Sequence, residues 1–122
     1  MLKMEEIMTA KEMTKVAFEA LEDKKGEDIR VIEISEISTI ADYFIIASGN
    51  NTSQVSALVD SVDEKLGKMG IQPKRVEGAR SLSWVLMDYG DIIVHVFMKE
   101  DRLFYDLERI WKDGKFVEIE EL

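Results

Sequence analysis

One stretch limits this chain more than any other: Ile92-Ile93-Val94-His95-Val96-Phe97-Met98, apolar at every position but the histidine. A strand with one wet face alternates apolar and polar residues, so a run of this kind predicts a central strand covered on both faces. Trp84-Val85-Leu86-Met87 is a second apolar run, and Asp88-Tyr89-Gly90-Asp91 separates the two. Gly90 accepts a positive φ without Cβ strain and aspartates bond neighbouring amides, so the spacing predicts an antiparallel hairpin. Asp101 then stands as the N-cap of a helix of about eleven residues, with Leu103, Leu107 and Ile110 on one side.

The 122 residues are expected to form one domain, and a chain of that length buries roughly two thirds of the surface its unfolded form exposes. With no cysteine there is no disulfide framework, thiol nucleophile or thiolate metal site. That suits a reducing interior and makes the cytoplasm the expected location. Residues 1–7 are too charged for a signal peptide, and no run approaches the ~20 apolar residues of a bilayer span, so a soluble protein without a membrane partner is expected. Sixteen basic residues against twenty-five acidic ones leave a net charge of −9, with the bases scattered. A phosphate backbone is repelled on average and direct nucleic-acid binding is not expected, whereas a basic protein surface is attracted. The same acidity also serves solubility alone.

Further along the chain, Thr9 and Glu12 have capping-box spacing, and Met13, Val16, Ala17, Ala20 and Leu21 recur at helical intervals. The spacing predicts a helix over 9–25, with Gly26 as the residue that ends it. Residues 29–34 predict a strand, 36–42 a loop, and 43–48 a second, buried strand closed by Gly49-Asn50-Asn51. Ser53 is the expected N-cap of a second helix whose apolar face is Val55, Leu58, Val59, Val62, Leu66 and Met69, with Gly70 as its stop. Pro73 precedes a short strand at 74–76, and 78–83 is a polar connection. Beyond Lys112, Phe116, Val117 and Ile119 are compatible with an edge strand or with no fixed structure. The order α-β-β-α-β-β-β-α, with a crossover over 43–77, predicts an α/β layered fold: a mixed β-sheet flanked by helices.

Three kinds of chemistry suit these residues. Ser48-Gly49-Asn50-Asn51-Thr52-Ser53 joins a strand to a helix N-terminus, where anions bind, but with one glycine and no lysine it is neither a dinucleotide fingerprint nor a P-loop. Asp88 and Asp91 with His95 could hold a metal, yet turn aspartates are common and a histidine among apolar strand residues is more often structural. No catalytic residues, cofactor or metal are therefore assigned. Third, Trp84, Met87, Tyr89, Met98, Phe104, Tyr105 and Trp111 crowd into one segment, and tryptophan, tyrosine and methionine are what interface cores favour. On strand alternation Trp84, Leu86 and Asp88 share one face, and Val85, Met87 and Tyr89 the other.

Several motifs of this chain resemble the ribosomal silencing factor family, called RsfS or Iojap-like. They are Ala41-Asp42-Tyr43-Phe44-Ile45-Ile46-Ala47-Ser48-Gly49, Gln54-Val55 with Ala57-Leu58, Val76-Glu77-Gly78, the hairpin from Trp84 to Phe97, and the segment from Arg102 to Trp111. The resemblance covers about residues 10–112, in order, and leaves out the tail beyond Asp113. It implies a fold similar to the nucleotidyltransferases without their catalytic signature, since Gly49 is followed by Asn50 and no Asp-x-Asp occurs. It also implies a non-enzymatic role: binding the fourteenth protein of the large ribosomal subunit, blocking small-subunit joining and so repressing translation, with a homodimer when free. One departure is Met98-Lys99, where family members often carry a histidine and a proline.

The docking face expected on these grounds comprises Trp84, Met87, Asp88, Tyr89, Asp91 and Met98, the aspartates steering toward a basic ribosomal protein and the others anchoring. The competing expectations are a Trp84 buried in the core with aspartates that only form the turn, and, for the whole protein, a nucleotidyl- or phosphoryl-transferase-like enzyme. Phe44, Ile46, Leu58, Val62, Ile93, Val94 and Phe97 are expected in the core.

Overall fold

The computed structural model describes residues 8–35, 40–101 and 114–122. The helix expected beyond Asp101, and with it Phe104, Tyr105 and Trp111, falls on 102–113, outside the described residues. Residues 99–101 are already helical, so Asp101 lies within a turn rather than capping it, and its carboxylate instead accepts the Ser83 hydroxyl at 2.9 Å.

The first helix, α1 (Ala10–Asp23), opens with the expected capping box. The Thr9 hydroxyl accepts the Glu12 amide at 3.1 Å, and the Glu12 carboxylate accepts the Thr9 amide at 2.9 Å. Its exit differs from expectation by one residue. Lys25, not Gly26, takes the left-handed conformation at φ 61°, while the Gly26 amide returns to the Leu21 carbonyl at 2.9 Å. Glycine suits position 26 for space, because a Cβ there would lie 3.1 Å from both the Leu21 carbonyl and the Leu58 side chain.

Among the described residues six strands and a second helix follow: β1 (Glu27–Glu33), β2 (Tyr43–Gly49), then helix α2 (Thr52–Gly67), then β3 (Arg75–Glu77), β4 (Trp84–Asp88), β5 (Ile92–Met98) and β6 (Lys115–Phe116). They form one mixed sheet of order β3-β4-β5-β2-β1-β6. β5 sits inside it, parallel to β2 and antiparallel to β4, as its apolar run requires. β1 pairs antiparallel with β2, and β6 adds two residues to the outer edge of β1, making the tail an edge strand. β3, across the α2 crossover from β2, runs in the same direction but pairs with β4 at the far edge.

The α2 helix begins two residues earlier than Ser53 suggests, because Asn51 is the N-cap: its Oδ1 accepts the Gln54 amide at 2.8 Å. At its other end regular helix stops at Gly67, so Met69 leaves the apolar face and stands 43% exposed. Helices α1 and α2 both cover the same face of the sheet. Their Met13, Ala17, Leu21, Val55, Leu58 and Val62 pack on Ile45, Ala47, Val85, Met87, Val94 and Val96. The opposite face carries a second cluster, Ile32, Ile34, Ala41, Phe44, Ile46, Ile93 and Phe97, with Trp84 and Leu86 packed against it. All seven residues expected in the core are buried.

Candidate docking face

The hairpin has the expected turn. Gly90 takes φ 91°, and the Tyr89 amide donates to the Ile92 carbonyl at 3.0 Å. Asp88 closes the loop, its Oδ1 accepting the Gly90 amide at 2.8 Å. Its Oδ2 faces Arg75 across the β3–β4 pair, 3.7 Å from Nη2, and Arg75 also holds Glu77 at 3.1 Å. The turn is tied to the edge strand as well, through the Lys74 amide on the Asp88 carbonyl at 2.7 Å. Sequence reading missed Arg75 and Lys74. Pro73 announces a strand there, but nothing local says that it will lie beside the hairpin.

The six residues expected to dock do not form one patch. Met87 and Tyr89 are buried in the cluster beneath α1 and α2, and half-buried Met98 packs on that same cluster. They are core because strand alternation sends them to the helix-covered face. Burial, aided by the Asp63 carboxylate, pushes the Tyr89 phenol up from its ordinary value, and its hydroxyl has no hydrogen-bond partner among the described residues. Trp84 and Asp88 lie on the other face, both half-buried, separated by roughly 13 Å of strand. Between them stands half-buried Leu86, an apolar residue that composition alone did not single out. Asp91 is exposed, and its carboxylate has no partner among the described residues. What remains accessible on the hairpin's face away from the helices is thus a row: Trp84, Leu86, Asp88 and, at the tip, Asp91.

His95 is buried in the sheet, in line with the apolar run around it. It pairs with Leu86 across β4–β5 and is 3% exposed. Its Nδ1 accepts the Trp84 indole N–H at 3.0 Å, and its ring meets Phe44 edge-on at 4.7 Å between centroids. Trp84 stacks on its own cross-strand partner Phe97 at 5.3 Å. Burial pushes the imidazole pKa down to about 3, so the ring is neutral. Indole N–H can only donate, which leaves the imidazole proton on Nε2, where it has no partner among the described residues. A buried donor left unpaired costs about 1–3 kcal/mol.

The other candidate chemistries fare differently. At the β2–α2 junction the chain's own side chains take the amides: the Gln54 carboxamide oxygen accepts the Asn50 N–H at 2.7 Å, and Asn51 accepts that of Gln54. Gly49 is needed there for close packing, since a Cβ would lie 3.0 Å from the Val55 side chain. With Nδ1 committed to Trp84, His95 does not converge with Asp88 and Asp91, and no group of three or more potential metal ligands gathers among the described residues. A cleft of about 270 Å³ opens at the edge of the sheet opposite β3, between α1 and the strand pair β1 and β6, lined by Phe18, Ile29, Val31 and Phe116, with Arg30 and Glu118 as its charged residues. Among the described residues no helix is long and apolar enough to cross a membrane.

Comparison with known proteins agrees with the earlier resemblance and extends it through the tail. The family model for the ribosomal silencing factor during starvation, RsfS, matches residues 7–122. The chain is 40% identical over 113 residues to the ribosomal silencing factor RsfS of Bacillus subtilis (strain 168), covering 93% of this chain and 96% of that protein. It is 41% identical over 113 residues to the RsfS of Halalkalibacterium halodurans, covering 93% and 97%. The crystal structure of a protein from Chromobacterium violaceum superposes with a TM-score of 0.84 at 41% identity, over 86% of this chain and 88% of that one. By sequence over nearly its whole length and by its mixed sheet flanked by helices, this chain belongs to the ribosomal silencing factor family.

Proposed function

We propose that this protein represses translation by occlusion: it docks through the hairpin on the fourteenth protein of the large ribosomal subunit and keeps the small subunit from joining. The observation that carries this reading is the row Trp84, Leu86, Asp88 and Asp91, an apolar stretch ending in an exposed carboxylate, in a chain whose relatives are named ribosomal silencing factors. A half-buried tryptophan supplies a desolvated anchor, and acidic groups at the tip attract a basic ribosomal protein. The role is non-enzymatic, takes no cofactor and belongs to the cytoplasm, and the free protein is a homodimer.

Docking needs no chemistry of its own, only a surface that outcompetes the small subunit for the same place. Co-sedimentation with purified subunits tests this directly. The protein should pellet with large subunits, not with small ones, and should reduce the yield of joined ribosomes when added first. Pelleting with neither subunit, or magnesium-dependent nucleotide binding by calorimetry, would turn the reading toward an enzyme.

A further inference from the structure

Trp84 and His95 form a pair that ordinary core packing does not explain. They lie diagonally across β4 and β5, on the face away from α1 and α2, with the indole half-buried and the imidazole fully so. Among the described residues the neighbours of His95 are aromatic or aliphatic: Phe44 and Ile46 from β2, Trp84 and Leu86 from β4, Phe97 from β5 itself. A phenylalanine would fill that place without burying an Nε2–H that has no partner among the described residues. What only the histidine supplies is an acceptor, and the indole N–H is what uses it, at 3.0 Å. If Trp84 served packing alone, neither its nitrogen nor the one facing it would be needed.

We propose that His95 is a positioning residue for docking: by accepting the Trp84 indole N–H from beneath the sheet surface, it fixes the rotamer in which the indole meets the large subunit. This rests on the docking reading above and deepens it. Stacking on Phe97 restrains the plane of the indole without choosing which edge turns inward, and the hydrogen bond selects the N–H edge. The N–H edge is held inward, so the carbon edge of the ring is the one offered to the partner. Recognition at this position is therefore apolar, by shape rather than by an indole hydrogen bond. A side chain fixed before binding also escapes the ordering cost that a mobile one meets on docking.

The test measures large-subunit affinity, melting and the indole N–H signals of the full-length protein in parallel. The chain has two tryptophans, and Trp84→Phe identifies the Trp84 signal by removing it. His95→Phe and His95→Leu remove the acceptor, whereas His95→Asn keeps an oxygen close to the place of Nδ1. The acceptor-less variants should melt at or above the wild-type temperature, shift the Trp84 indole signal upfield, and bind large subunits about 3- to 10-fold more weakly, the cost of ordering one freed side chain. His95→Asn should recover most of the affinity. In a Trp84→Phe background, His95→Phe should change affinity no further, because the group through which it acts is gone. Wild-type affinity in both acceptor-less variants, while Trp84→Ala binds weakly, overturns the positioning role and leaves the docking face standing. An undiminished effect of His95→Phe in the Trp84→Phe background overturns it too. Wild-type affinity in Trp84→Ala overturns the docking face itself.

Discussion

Asp88 closes its own turn: its Oδ1 accepts the Gly90 amide at 2.8 Å, in a loop whose glycine stands at φ 91°. The carboxylate is thus a structural group before it is a charge offered to a partner, and Arg75 partly neutralises it besides. Asp88→Ala should destabilise the protein by about 1 kcal/mol in urea denaturation, the usual loss for a hydrogen bond of this kind. An unchanged midpoint would mean that the turn holds without it. Charge reversal at Asp88 would mix this folding effect with any effect on docking.

Asp91 is the cleaner probe, being exposed and without a side-chain partner among the described residues. Its backbone carbonyl, which accepts the Asp42 amide at 2.8 Å, survives any substitution. Asp91→Arg should leave stability within about 0.5 kcal/mol of wild type. Affinity for the large subunit should fall by roughly ten-fold or more as like charges meet. Normal melting with undiminished co-sedimentation would place the docking face elsewhere.

The buried imidazole makes stability depend on pH in a direction that can be worked out. Its pKa is held near 3 in the folded state, against about 6.5 when unfolded. Between those values the unfolded chain binds the extra proton, so stability rises with pH across this window and is lost as pH falls from about 6.5 toward 3. From pH 6 to pH 4 the wild type should lose roughly 2–3 kcal/mol more than His95→Phe, measured by denaturation at each pH. Carboxylates common to both proteins cancel in that difference. Parallel pH curves would show that the histidine is hydrated when folded.

Truncation should separate the core from the surface sharply. Ile46, Leu58 and Phe97 are fully buried, and alanine at any of them should cost roughly 2–5 kcal/mol. Met69 and Val76 are 43% and 41% exposed, and alanine there should stay within about 0.5 kcal/mol. Chemical denaturation of the five variants measures this, and small losses at two of the three core sites would mean that the sheet is packed differently.

Gly78 governs the approach to β4. It has φ 84°, and a Cβ on it would lie 2.0 Å from the Trp84 carbonyl oxygen, so the backbone must move to admit one. Gly78→Ala should cost roughly 1–3 kcal/mol or more. It should also weaken large-subunit binding even under conditions where the variant is fully folded, since the displaced backbone carries Trp84. Wild-type melting in this variant would show that the loop relaxes freely.

The features legible in the sequence are those with local causes. The Thr9–Glu12 capping box, the turn glycine at 90 and the seven expected core residues are set by spacings of a few positions, and the structure has them. Local pattern does not decide which residue caps α2, because Asn51 and Ser53 are both good caps; Asn51 takes the role by accepting the Gln54 amide, and the Gln54 side chain accepts the Asn50 amide. The two faces of β4 could be separated by alternation, but not which one the helices would cover. That choice belongs to the sheet as a whole, and it takes Met87, Tyr89 and Met98 out of the docking row and puts Leu86 into it. Arg75 facing Asp88 and Trp84 bonding diagonally to His95 likewise depend on strand neighbours that no short-range pattern encodes.

Among the described residues β2 and β5 are the one parallel pair, and they join two sets of antiparallel strands, β6–β1–β2 on one side and β3–β4–β5 on the other. The β1–β2 pair and the β3–β4–β5 meander can each form from nearby chain. The seam between them cannot: Gly49 must wait for Met98, with α2 and two strands made in the interval. While the protein is itself being synthesised, the inner edge of β2 therefore stays open long after its hairpin with β1 is complete. The row Trp84, Leu86, Asp88 and Asp91, carried on the later strands, is made only after that hairpin, and its strands are what close the open edge.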